Sequence, residues 1–238
     1  MEKLMRNKAV KVLMAMIVMW LCGNVAAMAQ RHYLPHVHVG AHAGMSLSRV
    51  SFYPKAQEMN LPGATFGLSF RYAEERHVGI LAELNLEQRG WKEDFEEQNA
   101  QFQYYHRTTY IELPIMTHIF FGSRVVKGFF NLGPELGYMI SDGISSNFNY
   151  VSPLTISDFP GTYRQTEQMS MDITNRFDYG ITAGAGIEFI IMGKHCVQLE
   201  GRYYYGLGNI FPSAKSDYFS SSRGSSLQVT LGYLFRLK

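Results

Sequence analysis

Cysteine is all but missing from this chain of 238 residues, which holds only Cys22 and Cys196. Cys22 falls in a leader segment, so a processed chain keeps one thiol and has no means of forming an internal disulfide. Amphipathic helical patterning is also missing after the first thirty residues, which excludes helical bundles and α/β layers. Catalytic signatures are absent: there is no Gly-x-Ser-x-Gly elbow and no His-Glu-x-x-His. The acidic stretch Glu93 to Glu97 reads as solvated loop charge. No catalytic, cofactor-binding or metal-binding residue is therefore assigned, and the expected protein is not an enzyme, with an enzyme acting on lipid or peptide as the alternative.

What is present begins with an export signal. Lys3, Arg6, Lys8 and Lys11 precede an apolar run from Val12 to Leu21, followed by Ala27-Met28-Ala29, the order of a secretory signal peptide. The run is shorter than the roughly 20 residues a helix needs to span a bilayer. The bulky Trp20-Leu21 pair argues against lipid modification of Cys22. Cleavage after Ala29 is expected, giving a signal over 1–29 and a single domain over 30–238. Processing removes four basic residues and one acidic one, so the formal charge of +2 becomes −1. The basic character belonged to the signal, and nucleic acid is excluded as a partner.

The rest of the chain alternates with period two and is rich in Gly, Tyr and Phe. Leu227, Val229, Leu231, Tyr233, Phe235 and Leu237 share one face of a strand, while Gln228, Thr230, Gly232 and Arg236 share the other with Leu234. Phe177 to Ile191 repeats the pattern, with Asp178, Thr182 and Glu188 opposing its apolar face. About eight strands are predicted, near 35–50, 63–73, 76–88, 103–121, 126–141, 176–192, 195–206 and 224–237. The connections alternate in length. Residues 51–62, 89–102, 142–175 and 207–223 are long, whereas Ala73 to Arg76, Gly122 to Val125 and Gly193-Lys194 are tight turns.

An even strand number with that asymmetry describes an all-β, eight-stranded antiparallel transmembrane β-barrel, with long extracellular loops and short periplasmic turns. A soluble sandwich or lipocalin-like barrel would also alternate. Several strands, however, reach the roughly 9–11 residues that cross a bilayer at a tilt. Aromatics also gather near strand ends, at Phe120-Phe121, Phe129-Phe130, Tyr203 to Tyr205 and Tyr233/Phe235, where interfacial girdles sit. The expected address is the outer membrane of a Gram-negative cell, with its lipid, lipopolysaccharide and assembly machinery as partners.

If the apolar faces meet lipid, the charges point inward. Arg71, Glu83, Glu112, Glu135, Glu188, Glu200 and Arg202 have that parity and form the candidate site, a lumenal polar network. Eight strands leave just enough room for side chains, so a packed plug is expected in place of a pore. Buried carboxylates need partners, and Arg71 and Arg202 are expected to bridge several of these glutamates. Pro114 and Pro134 lie within strands and are expected to sit at bulges. His36, His38 and His42 share one strand face, near His32. Imidazoles two apart on one face could grip a zinc or copper ion, but Val37, Val39, Ala41 and Ala43 alternate with them, so they are expected to be the lumenal face of the first strand. Loop 142–175, with Phe148, Tyr150, Phe159 and Tyr163, reads as exposed aromatics suited to a protein or glycan partner, or to interfacial anchoring.

Arg89-Gly90-Trp91-Lys92, Tyr110-Ile111-Glu112-Leu113-Pro114-Ile115-Met116, Asn131-Leu132-Gly133-Pro134-Glu135 and Gly232-Tyr233-Leu234-Phe235 together resemble the PorT-like outer-membrane β-barrel family. The order and spacing of these motifs carry the resemblance across nearly the whole processed chain. It implies an eight-stranded, porin-like barrel. As an alternative role it implies a component of type IX-like protein secretion or transport. The final Arg236-Leu237-Lys238 departs from the aromatic ending common to such barrels.

Overall fold

The computed structural model describes residues 35–73, 77–95, 101–160, 165–214 and 217–237. The expected signal peptide, His32 and Tyr163 lie outside them. Among the described residues, nine strands form one antiparallel sheet: β1 (His36–Tyr53), β2 (Glu58–Met59), β3 (Leu61–Ala73), β4 (Val78–Glu93), β5 (Tyr104–Gly122), β6 (Val126–Ser146), β7 (Phe177–Ile191), β8 (His195–Gly206) and β9 (Ser221–Arg236). β2 is a two-residue strand that pairs only with the outer end of β4. The other eight close into a ring: β4 joins β5, and β1 joins β9 from His38↔Arg236 to Tyr53↔Ser221. Closure leaves none of the eight with a bare edge, which a bilayer requires. Among the described residues, no helix is long and apolar enough to cross a membrane; strands make the crossing.

The strands lie close to their predicted limits except at the long-loop end, where the two-residue β2 falls inside the expected loop 51–62 and two strands run past their limits. β4 runs on to Glu93 and β6 to Ser146, so residues 89–93 and 142–146, expected in loops, are strand. On β4 the same inward and outward parity continues past the lipid belt, whereas on β6 the inward set passes from odd positions through Met139 to even ones at Ile144 and Ser146. Tight turns close the opposite end. At Met192-Gly193 both residues have positive φ, 52° and 70°, and Lys194 N–H donates to the Ile191 carbonyl at 3.3 Å, as in a type I′ hairpin turn.

The prolines correct another expectation. Pro114 pairs in register with Glu135, and Pro134 with Ile181. The β5–β6 ladder passes over two residues after Pro114 yet resumes unshifted at Thr117↔Leu132. A proline deletes a donor without adding a residue. The bulge falls instead between Thr109↔Ser141 and Tyr110↔Met139, where Ile140 is the extra residue.

The outward face is a continuous apolar belt that includes Leu68, Leu84, Ile115, Leu132, Ile187, Val229 and Leu231, all exposed. On a water-soluble protein so large a patch would drive aggregation; here it is the lipid contact. Leu132 lies near the middle of the exposed apolar run of β6, from Val126 to Ile140. Leu132→Arg is expected to destabilise the barrel by roughly 2–4 kcal/mol, the midplane range, in denaturant unfolding from lipid vesicles. A loss below about 1 kcal/mol would place Leu132 outside the hydrocarbon.

Candidate functional site

Alternation sends every second side chain into the lumen, and Arg71, Glu83, Glu112, Glu135, Glu188, Glu200 and Arg202 are all buried there. They are stacked in three layers along the axis. Nearest the tight turns, Arg71 on β3 donates from Nη1 to Glu188 on β7 and, at 3.2 Å, to His118 Nε2 on β5. His118 Nε2 is therefore the acceptor, and its Nδ1–H donates to Asn131 Oδ1 at 2.7 Å. Ala73, Phe120 and Phe129 close the floor beneath. Of the aromatics expected in girdles, Tyr203, Tyr205 and Tyr233 are exposed, but each Phe-Phe pair puts only one ring toward lipid: Phe121 and Phe130 are exposed, whereas Phe120 and Phe129 point inward.

The middle layer is built on Arg202 of β8. Its guanidinium grips both oxygens of Glu83 at 2.5 and 3.2 Å and both oxygens of Glu200 at 2.9 and 3.1 Å, the forked geometry to which arginine is suited. Asn131 Nδ2 donates to Glu200 at 2.8 Å, so an unbroken chain runs Glu188, Arg71, His118, Asn131, Glu200, Arg202, Glu83. Ser69 Oγ donates to Glu83 at 3.4 Å and lies 3.0 Å from His42 Nδ1.

The outer layer centres on Arg89 of β4, which sequence reasoning left in a loop. Its Nε donates to Glu87 at 2.7 Å, Nη2 lies 2.6 Å from both Glu112 and Glu135, and Nη1 is 3.3 Å from Asp178. Glu112 is close enough for an ion pair but has no aligned hydrogen bond at either oxygen. The guanidinium lies over the Tyr204 ring, 3.9 Å from its centroid, and Tyr204 Oη donates to Asp178 at 2.9 Å. Gln228 Nε2 and Ser226 Oγ complete the shell around Glu87. Between them Arg71 and Arg202 bridge three of these glutamates: Arg202 takes two and Arg71 one. Arg89 does most of the bridging. The missed signal was parity, since Glu83, Glu87, Arg89, Trp91 and Glu93 all fall on the inward face of β4.

Above Arg89 the lumen turns apolar. Trp91 packs edge-on against Phe52 at 5.4 Å and lies beside His106 at 4.3 Å, while Phe211 and Phe219 stack at 5.9 Å. Gly90 permits this packing: its φ of +146° suits glycine, and a Cβ there would meet the His106 carbonyl at 1.9 Å. The loop aromatics expected at the surface join the cap. Phe159 is buried, Phe148 contacts Phe95, Phe102 and Phe159, and Tyr150 meets Tyr104. Facing one another across the barrel mouth removes them from water, which exposure would not.

The histidines do not converge. Among the described residues, no group of three His, Cys, Asp or Glu side chains could hold a metal ion. His38 and His42 are four residues apart, about 13 Å along a strand, and His36 lies against Arg236 at 2.9 Å.

A closed eight-stranded ring, dry outside and filled with ion pairs, defines an integral β-barrel of the outer membrane. The chain belongs to the outer membrane protein beta-barrel domain family, whose model matches residues 28–212. No relative was found among curated proteins. Solved structures similar to it include the outer membrane protein OprG from Pseudomonas aeruginosa, at 8% identity and TM-score 0.49, covering 85% of this chain and 95% of OprG. Neisserial surface protein A is 11% identical with TM-score 0.45, covering 82% and 95%. The outer membrane enzyme PagL is 9% identical with TM-score 0.37, covering 80% and 97%.

Proposed function

We propose that this protein is a non-enzymatic outer-membrane barrel with a solid lumen, which displays a packed, loop-built cap at the outer surface for interaction or envelope structure. The observation that carries this reading is the filling of the lumen. Three arginine layers and an aromatic cap succeed one another along the axis, and the cavities beside Arg89 and Arg71 each have space of about 20 Å³, room for a water or so. Outer-membrane lipid and lipopolysaccharide surround the belt, and the assembly machinery inserts it. Reconstituted in planar bilayers, the processed chain is expected to give no stable conductance steps. Large, lasting steps would refute the plugged interior.

The finer kinship with PorT-like barrels rests on the sequence motifs, and two of them mark structural joints. Arg89-Gly90-Trp91 forms the junction of outer layer and cap, and Asn131 to Glu135 contributes to two layers. A secretion role predicts co-purification with secretion-system subunits from native membranes. Repeated capture of the barrel without them favours the display reading.

A further inference from the structure

The strands separate their charges by sign. Among the described residues, every Asp and Glu within a strand has inward parity, including Glu58, paired with the buried Glu93, and Asp142, paired with the buried Thr108. The strand Lys and Arg side chains with outward parity are Arg49, Lys92, Arg107 and Arg223. All of these lie at the long-loop end, a few residues beyond the last exposed aliphatic side chains of their strands, Leu47, Leu86, Ile111 and Leu227. Arg49 and Arg223 stand together at the seam where the barrel closes. Arg49 is opposite Ser225 and Arg223 opposite Ser51, so they are diagonal neighbours on the outward face, with backbones roughly 7–8 Å apart. Arg49 is exposed and Arg223 half-buried, and Arg223 Nε is shielded from water without a hydrogen-bond partner. Glu58 feels the Arg49 charge from the inward side, yet neither arginine makes an ion pair among the described residues.

Solvation alone would suit carboxylates at this outward rim as well as cations, and the strands place none there. Two guanidinium groups at the edge of the hydrocarbon, one with an unsatisfied donor, match an anion carried by the membrane itself, and the planar fork of arginine suits phosphate. The long-loop end lies in the outer leaflet, where the lipid is lipopolysaccharide, an acylated sugar with phosphate at headgroup height. We infer that Arg49 and Arg223 form a binding site for a phosphate group of lipopolysaccharide on the outside of the β1–β9 seam. The acyl chains of that lipid lie below it, against Met45, Leu47 and Leu227, all exposed. This inference rests on the outer-membrane barrel proposed above and adds one specific lipid contact to it.

The test uses the processed barrel purified in a phosphate-free sugar detergent and titrated with diphosphoryl lipid A in mixed micelles, bound lipid being counted by native mass spectrometry. Saturable binding is expected, and dephosphorylated lipid A should bind about tenfold more weakly, as expected for loss of charge-assisted hydrogen bonds. Arg49→Gln and, separately, Arg223→Gln should each weaken binding of the phosphorylated lipid by a similar factor. Arg124→Gln, in a tight turn at the opposite end, should leave it unchanged. The heat-dependent gel shift of folded barrels checks each variant, and the dephosphorylated lipid tests the phosphate contact on the unaltered chain. Equal binding of the two lipids overturns the inference. So does undiminished binding in the folded Arg49 and Arg223 variants, an equal loss in Arg124→Gln, or tighter binding of phosphatidylglycerol than of lipid A. The bilayer conductance test of the plugged lumen does not involve these arginines, so failure of the lipid site and failure of the plug are read separately.

Discussion

Arg89→Ala is expected to cost more stability than any other single substitution in the lumen, on the order of 3–5 kcal/mol or more. The arginine is buried against Glu87, Glu112, Glu135 and Asp178, and truncation would leave four carboxylates facing one another with no cation between them. A denaturant titration from detergent or vesicles reads the loss as an earlier unfolding midpoint, and the gel shift of the folded form should diminish. Arg89→Lys should rescue little, because an ammonium cannot address partners on four strands as a planar fork does. Glu112→Gln should behave oppositely. It removes charge from the one carboxylate without an aligned hydrogen bond, so it should be nearly neutral or stabilising. If Arg89→Ala and Glu112→Gln unfold at the same midpoint as wild type, the layer contributes nothing to stability.

The second large effect belongs to the cap. Trp91 is fully buried, and its ring is held by Phe52, His106 and Phe211. Trp91→Ala should cost roughly 3–5 kcal/mol, the usual range for deleting a large buried aromatic. The loss should be local at first. Because loops and strand ends supply the cap, protease cleavage within 147–176 should accelerate before the transmembrane part unfolds. Phe52→Leu, which retains apolar bulk, should lose much less. Unchanged proteolysis in Trp91→Ala would show that the loops hold their places without the tryptophan.

Both predictions turn on residues whose orientation sequence could reveal and whose partners it could not. Alternation was enough to sort Glu83 from Leu84 and Arg202 from Tyr203, since a strand has only two faces and one of them must be dry. It even extended to Arg89, where the reading stopped too early because Gly90 and the charged residues beyond it resemble a loop. Similarly, the aromatics of 142–175 looked exposed because polar loop residues surround them in the chain, whereas in space their neighbours are Phe95 and Phe102.

By itself, then, the sequence determined strand number, the tight and long ends, and which side chains avoid lipid, because period-two patterning and turn chemistry are local. Only the tertiary structure decided who meets whom inside. Arg202 reaches Glu83 across 119 residues and Arg71 reaches Glu188 across 117. Such pairs depend on how far the closing strands β1 and β9 are staggered around the ring, a quantity fixed when the sheet closes and carried by no single strand.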